Sequence, residues 1–251
     1  MAVDPAPPQA ARAAARARVE ADIVRVARAQ LAQVGPSELS VRAVARELGM
    51  GSASIYRYVA SRDEVLGRLQ VAMYAELAQH VEEREAAVAQ VWAAKSAGRV
   101  RPDAVLARWR AICGAVRDWA LAHPHDYALV YGPPVPGYAP PTEATEAASR
   151  VTDAFLRCLV AVDELGLFPR PVPGVREGDA LAAVRTKAAA VAVSGRPPRE
   201  AVLARGVLAW GSVLGAVSFE LFGRYAGSID DPGAWFGQAV DLLAADLGLP
   251  V

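Results

Sequence analysis

Residues 39–66 read LSVRAVARELGMGSASIYRYVASRDEVL, and the fold turns on whether this stretch makes two short helices and the start of a third. Ser40 suits the N-cap of a helix over residues 41–48, which places Val41, Val44 and Leu48 on one face and stops at Gly49. If a second helix starts after Ser52 as its N-cap, Ile55 and Val59 fall four residues apart on one face and pack against that apolar trio. Ser61-Arg62-Asp63-Glu64 then forms a capping box, opening a long helix that runs past Glu83.

Upstream, residues 12–33 carry Val19, Ile23, Val26 and Ala27 at helical spacing, with Val34 closing the stripe and Gly35-Pro36 ending it. Two short helices joined by the turn Gly49-Met50-Gly51-Ser52, behind one longer helix and ahead of another, are a helix-turn-helix arrangement. Ser54 and Arg57 face away from the Ile55/Val59 side, with Tyr56 and Tyr58 flanking them. Such tyrosines fit either the edge of a core or a partner surface. The surrounding charge favours the partner: residues 12–62 hold nine basic and four acidic side chains, a local +5 in a chain of net zero. A helix N-terminus adds free amides that attract phosphate.

Taken together, residues 18–69 resemble the DNA-binding domain of the TetR family of transcriptional regulators, over about one fifth of the chain. The resemblance rests on the order of its parts: an amphipathic helix, a small helix ending in Leu48-Gly49, a turn, the segment Ile55-Tyr56-Arg57-Tyr58-Val59, then Ser61-Arg62-Asp63-Glu64. It implies that Tyr56 and Tyr58 contact backbone phosphates and sugars, that Arg62 clamps a phosphate, and that Ser40 and Arg42 meet a phosphate and a guanine edge. Ser52, Ala53, Ser54 and Arg57 are the remaining base-edge candidates, Ala53 by touching a thymine methyl. Tyr58, Val59 and Arg62 stand where the family often has histidine, phenylalanine and lysine. The basic residues Arg12, Arg16 and Arg18 either reach the neighbouring minor groove or solvate the first helix.

The rest of the chain reads as helix throughout, so the expected class is all-α: a tail over residues 1–11, a DNA-binding domain over 12–68, and a larger domain over 69–251. Further helices are expected from Pro102 to His123, from Pro124, and over residues 142–165, 177–193, 199–225 and 232–247, with a proline-rich loop at 131–141. The resemblance implies that this larger domain senses a small-molecule effector and dimerises. Trp109, Trp119, Tyr127, Tyr131, Phe155, Phe219 and Phe222 are the candidate pocket aromatics, with Arg108, Arg110 and Glu220 for a polar group. The segment HPHDYALVYGPPVPGY resembles the C-terminal domains of many actinobacterial TetR-like regulators; in their WHG type a late helix carries a tryptophan followed by histidine and glycine, and here Trp210 is followed by Leu214-Gly215. Gly206, Gly211 and Gly215 let another backbone approach, either a second copy across residues 199–225 and 232–247 or a neighbour in the same chain.

Other functional classes find little support. No nucleophile-base motif, phosphate loop or paired acid/base stands out, so an enzyme is not expected, and no cofactor is implied. The alternative is a helical small-molecule-binding protein or enzyme without a regulatory role at DNA. His123-Pro124-His125-Asp126 lacks a fourth ligand and any zinc spacing. Cys113 and Cys158 are far apart inside apolar helical patterns and read as buried reduced thiols. The longest uncharged apolar run, residues 206–219, has 14 residues, short of a membrane span, and residues 1–20 have no apolar core of a signal, which together suggest a cytoplasmic address.

Overall fold

The computed structural model describes residues 8–96, 100–168 and 178–251. Most of the expected tail and Glu177, the expected start of a late helix, lie outside them. Among the described residues the chain is helical: α1 (Pro8–Val34), α2 (Val41–Glu47), a 3-10 turn (Ile55–Arg57), α3 (Arg62–Ser96), α4 (Pro102–Ala122), α5 (Pro124–Tyr131), α6 (Thr142–Glu164), α7 (Ala182–Val191), α8 (Glu200–Leu221) and α9 (Pro232–Asp246). α1 starts four residues before the expected position, because Pro8 suits a first helical turn and the Ala/Arg-rich run behind it has high helix propensity.

Contacts divide the chain into two compact units: residues up to Tyr74 with His125–Thr145, and Ala75–Pro124 with Glu146–Val251. In the first unit α1 buries Ile23, Val26, Ala27 and Leu31, while Val19 is half-buried and Val34 exposed. Gly35 and Gly49 follow α1 and α2 at φ +74° and +65°, a left-handed geometry that favours glycine and turns the chain sharply. Leu39, Val41, Val44, Ile55, Val59, Leu66 and Leu69 complete the core.

The second helix of the motif differs from expectation. Ser52 does not open an α-helix; residues 52–54 form a turn, with the Ser54 amide donating to the Gly51 carbonyl at 2.8 Å, and one 3-10 turn follows. Two aromatic and two β-branched residues in five positions have modest helix propensity, and the buried anchors are only Ile55 and Val59. The capping box forms with a shift: the Glu64 amide donates to Ser61 Oγ (3.1 Å), but Glu64 Oε2 accepts from the Ala60 amide (2.6 Å).

The proline-rich loop belongs to this unit. Asp126, 5% exposed, accepts from Arg28 Nε of α1 at 2.8 Å. Gln70 and Tyr74 of α3 donate to the Leu129 and Val130 carbonyls, at 3.2 and 2.8 Å, and Tyr138 donates its hydroxyl proton to Gln70 Oε1 at 2.8 Å. Gly67 leaves the space for this strap, since a Cβ there would lie 3.0 Å from Pro141 Cγ.

In the second unit α4 packs on α8 and α9. Trp109 is fully buried and its indole donates to the Val240 carbonyl at 2.9 Å, tying α4 to α9. The buried Glu85 of α3 accepts from Arg108 of α4 and Arg157 of α6. Cys113 and Cys158 are buried free thiols, and burial pushes Cys158 up to about 12. Asp231 caps α9 through the Ala234 amide at 2.9 Å, with Pro232 in the first turn.

α8 qualifies the expectation about membrane spans. Its 22 residues include an 18-residue stretch of mean hydropathy 1.6, long and apolar enough by length and composition to cross a bilayer. It is nevertheless tied into the unit by charge, through Glu200 to Arg185, Arg205 to Asp246 and Glu220 to Arg117.

Candidate nucleic-acid interface

Within the first unit, α2 and the 3-10 turn touch, and their outer faces carry most of the candidate DNA contacts. Ser40 Oγ accepts from the Ala43 amide at 3.4 Å as the N-cap of α2, while its own amide donates to Gln30 Oε1 at 2.8 Å. Arg42, the second residue of α2, is exposed, as are Ser52, Ala53 and Arg57. Tyr56 is 47% exposed, high for so large a ring, whereas Ser54 is half-buried. Tyr58 is half-buried beneath Arg16, whose guanidinium lies 5.6 Å from the ring centroid.

Arg62 sits differently. Its Nη2 donates to the Pro36 carbonyl at 2.5 Å and Nη1 lies 3.7 Å from Asp63, so the guanidinium joins the start of α3 to the α1–α2 loop. The Nε of Arg62 is buried without a hydrogen-bond partner. Gln30 and Arg68 also shape this face and are absent from the sequence-based set, while Arg16, expected at the minor groove or in solvent, lies over Tyr58 and donates to Glu20. The i,i+4 spacing of Glu64 and Arg68 signals their pairing, but the bond from Arg68 to the Tyr58 carbonyl needs the fold.

The aromatic candidates for an effector pocket fall in different settings. Tyr127 and Tyr131 belong to the first unit, where the Tyr131 ring lies tilted to Tyr127 and edge-on to Tyr74 at centroid distances of 5.2 and 5.8 Å, and burial raises the pKa of its phenol. Trp109, Trp119 and Phe155 are core residues of the second unit, and Phe155 also meets Trp210 at 5.1 Å. Phe219 and Phe222 are exposed. Arg108, Arg110 and Glu220 pair with Glu85, Asp241 and Arg117.

A groove of about 350 Å³ runs between α8 and α9, with Val213, Ala216, Phe219, Trp235, Leu242 and Leu243 among its walls. Along α8 and its C-cap Phe222, the residues Leu208, Gly211, Ser212, Phe219 and Phe222 form an exposed stripe at helical spacing, and Leu242 of α9 is 63% exposed. An added Cβ at Gly206 would lie 2.1 Å from Leu159 Cδ1, whereas at Gly211 or Gly215 it would meet nothing within 4 Å. Gly206 therefore serves packing inside the chain. The other two open outward.

Comparison with known proteins agrees with this geometry over nearly the whole chain. Residues 23–69 match the family described as bacterial regulatory proteins, tetR family, and residues 109–243 match the tetracyclin repressor-like C-terminal domain. The chain belongs to the TetR family of transcriptional regulators. HTH-type transcriptional regulators of Mycobacterium bovis (Mb1846) and Mycobacterium tuberculosis (Rv1816) are each 39% identical to this TetR regulator over 242 residues, covering 93% of it and 94% of their own length. A candidate regulatory protein of solved structure, SCO4313, is 27% identical with a TM-score of 0.66, covering 95% of this chain and 98% of its own. A candidate tetR family regulator from Shewanella sp. PV-4 is 14% identical with a TM-score of 0.51, covering 90% and 95%, and shares the TetR fold.

Proposed function

We propose that this TetR regulator acts in the cytoplasm as a homodimeric repressor and leaves a pseudo-palindromic operator when a small-molecule effector binds its C-terminal domain. The exposed row on α2 and the adjacent turn, formed by Arg42, Ser52, Ala53, Tyr56 and Arg57, carries the DNA reading. Arg42 and Arg57 read bases, and Arg42 suits the O6/N7 edge of guanine. Tyr56, Tyr58 and the Ser40 hydroxyl set the register on phosphates. Arg62 contributes chiefly by holding α3 to the Pro36 carbonyl, with less of its charge free for DNA than the sequence suggests.

The outward stripe of α8 with Leu242 of α9 supports the second copy. A twofold axis there gives an isologous interface and two reading heads, whose half-sites on DNA lie roughly 34–36 Å apart. An effector weakens operator binding only to the extent that it binds the released conformation more tightly. Arg42→Ala is expected to relax selectivity at one base pair of each half-site by about 1–3 kcal/mol. Tyr56→Phe should weaken every sequence alike. Binding of both variants to a duplex selected from a random library decides this, and unchanged affinity and selectivity in both would remove these residues from the interface.

A further inference from the structure

The reading turn is too short to hold itself. One 3-10 turn has poor hydrogen-bond geometry, and fixing an isolated turn costs more order than its few bonds return. Ile55 and Val59 anchor one side, but nothing in that pair sets the direction of the Tyr58 carbonyl or ring.

Both are held from outside the turn. Arg68 Nη2, two turns into α3, donates to the Tyr58 carbonyl at 2.8 Å and to Glu64 Oε1 at 2.7 Å. Glu64 in turn accepts the Ala60 amide at 2.6 Å, which fixes the chain just beyond the turn; this bond and the neighbouring Arg68 and Arg16 charges hold the carboxyl below its ordinary range. From α1, Glu20 lies 3.8 Å from Arg68 and accepts from Arg16 Nε at 2.9 Å, while the same Arg16 covers the Tyr58 ring. α1, the reading turn and α3 thus share one network of two arginines and two carboxylates.

We propose that Arg68 is a positioning residue for DNA reading, acting through the Tyr58 carbonyl with Glu64 as its partner and without touching DNA. This rests on the DNA-binding reading above. Arginine suits the task because its planar fork serves a carbonyl and a carboxylate at once. Arg16 differs in being more exposed, its side chain at 56% against 29% for Arg68.

The test uses the full-length protein and a duplex that the wild type itself enriches from a random-sequence library. Arg68→Met, Glu64→Gln and the double variant are compared by affinity at several salt concentrations, with circular dichroism and thermal melting to confirm folding. Each single variant is expected to bind about tenfold more weakly to every enriched sequence. The double variant should bind about as weakly as either single one, well short of the product of the two losses, because the two act as one unit. The slope of log affinity against log salt should stay at the wild-type value.

A slope lower by roughly 0.9 in Arg68→Met would show a lost phosphate contact and overturn the positioning role. Wild-type affinity in both single variants would overturn it too. If Arg68→Met does not fold, Arg68→Lys gives the same decision, with a smaller affinity loss at unchanged slope expected and either a slope change or unaltered affinity counting against. A wild type that enriches no duplex would instead sink the DNA-binding reading itself.

Discussion

At the scale of single residues, partners decide more than position in a motif. The resemblance puts Arg62 at a phosphate-clamp position, yet its Nη2 is committed to the Pro36 carbonyl, whereas Arg42 is exposed. The exposure of Arg57 followed from its spacing against Ile55 and Val59, and Arg42 was singled out by the resemblance; the inward turn of Arg62 was not legible, since it depends on a carbonyl 26 residues away. Glu85 gives a test in pH. Burial alone would raise its carboxyl, but bonds and charge from Arg157 and Arg108 prevail and lower it from 4.5. A carboxyl depressed in the folded state contributes stability that is full above the unfolded value and fades as pH falls through the folded one. Unfolding monitored by urea titration should therefore show a loss of stability beginning below about pH 4.5 that Glu85→Gln reduces. At pH 7 the same variant should cost about 1–3 kcal/mol, because two arginines lose the negative charge between them and one of its two acceptor oxygens.

At the scale of elements, most helices were readable from periodicity and caps, and the exception teaches the limit. Ser52, Ala53 and Ser54 look like the opening of an α-helix, but the stretch has only two buried anchors, and a turn with a single 3-10 winding satisfies them. The glycines of α8 also look alike in sequence and differ in surroundings. Gly206→Ala would drive a methyl into Leu159, itself fully buried, and should lower stability by about 1–3 kcal/mol in thermal melts. Gly211→Ala meets open space and should raise the stability of an isolated chain by up to about 1 kcal/mol through helix propensity. If α8 faces its twofold mate, the same methyl should loosen the dimer. Sedimentation across a dilution series separates the two effects.

At the scale of the whole molecule, the all-α class was legible in the helical periodicity, but pairings between distant segments were not. Contacts, unlike sequence order, join His125–Thr145 to the N-terminal unit, through Asp126 on Arg28 and Tyr138 on Gln70. The exposed α8 stripe belongs to this scale as well. Leu208→Glu with Leu242→Glu should give a folded monomer by sedimentation that holds operator DNA far more weakly, since the affinity gained by linking two reading heads is lost. A compact dimer with full operator affinity would count against this surface. The strap also sets an order of events during synthesis. The N-terminal unit emerges first from the ribosome, yet its last pieces follow only after Thr145 has been translated, several seconds later at ordinary elongation rates. Until then Gln70 lacks Tyr138 and Arg28 lacks Asp126, so a newborn chain completes its first unit only as the second is being made, and a chimaera built by transplanting the first 74 residues would leave those fastenings behind.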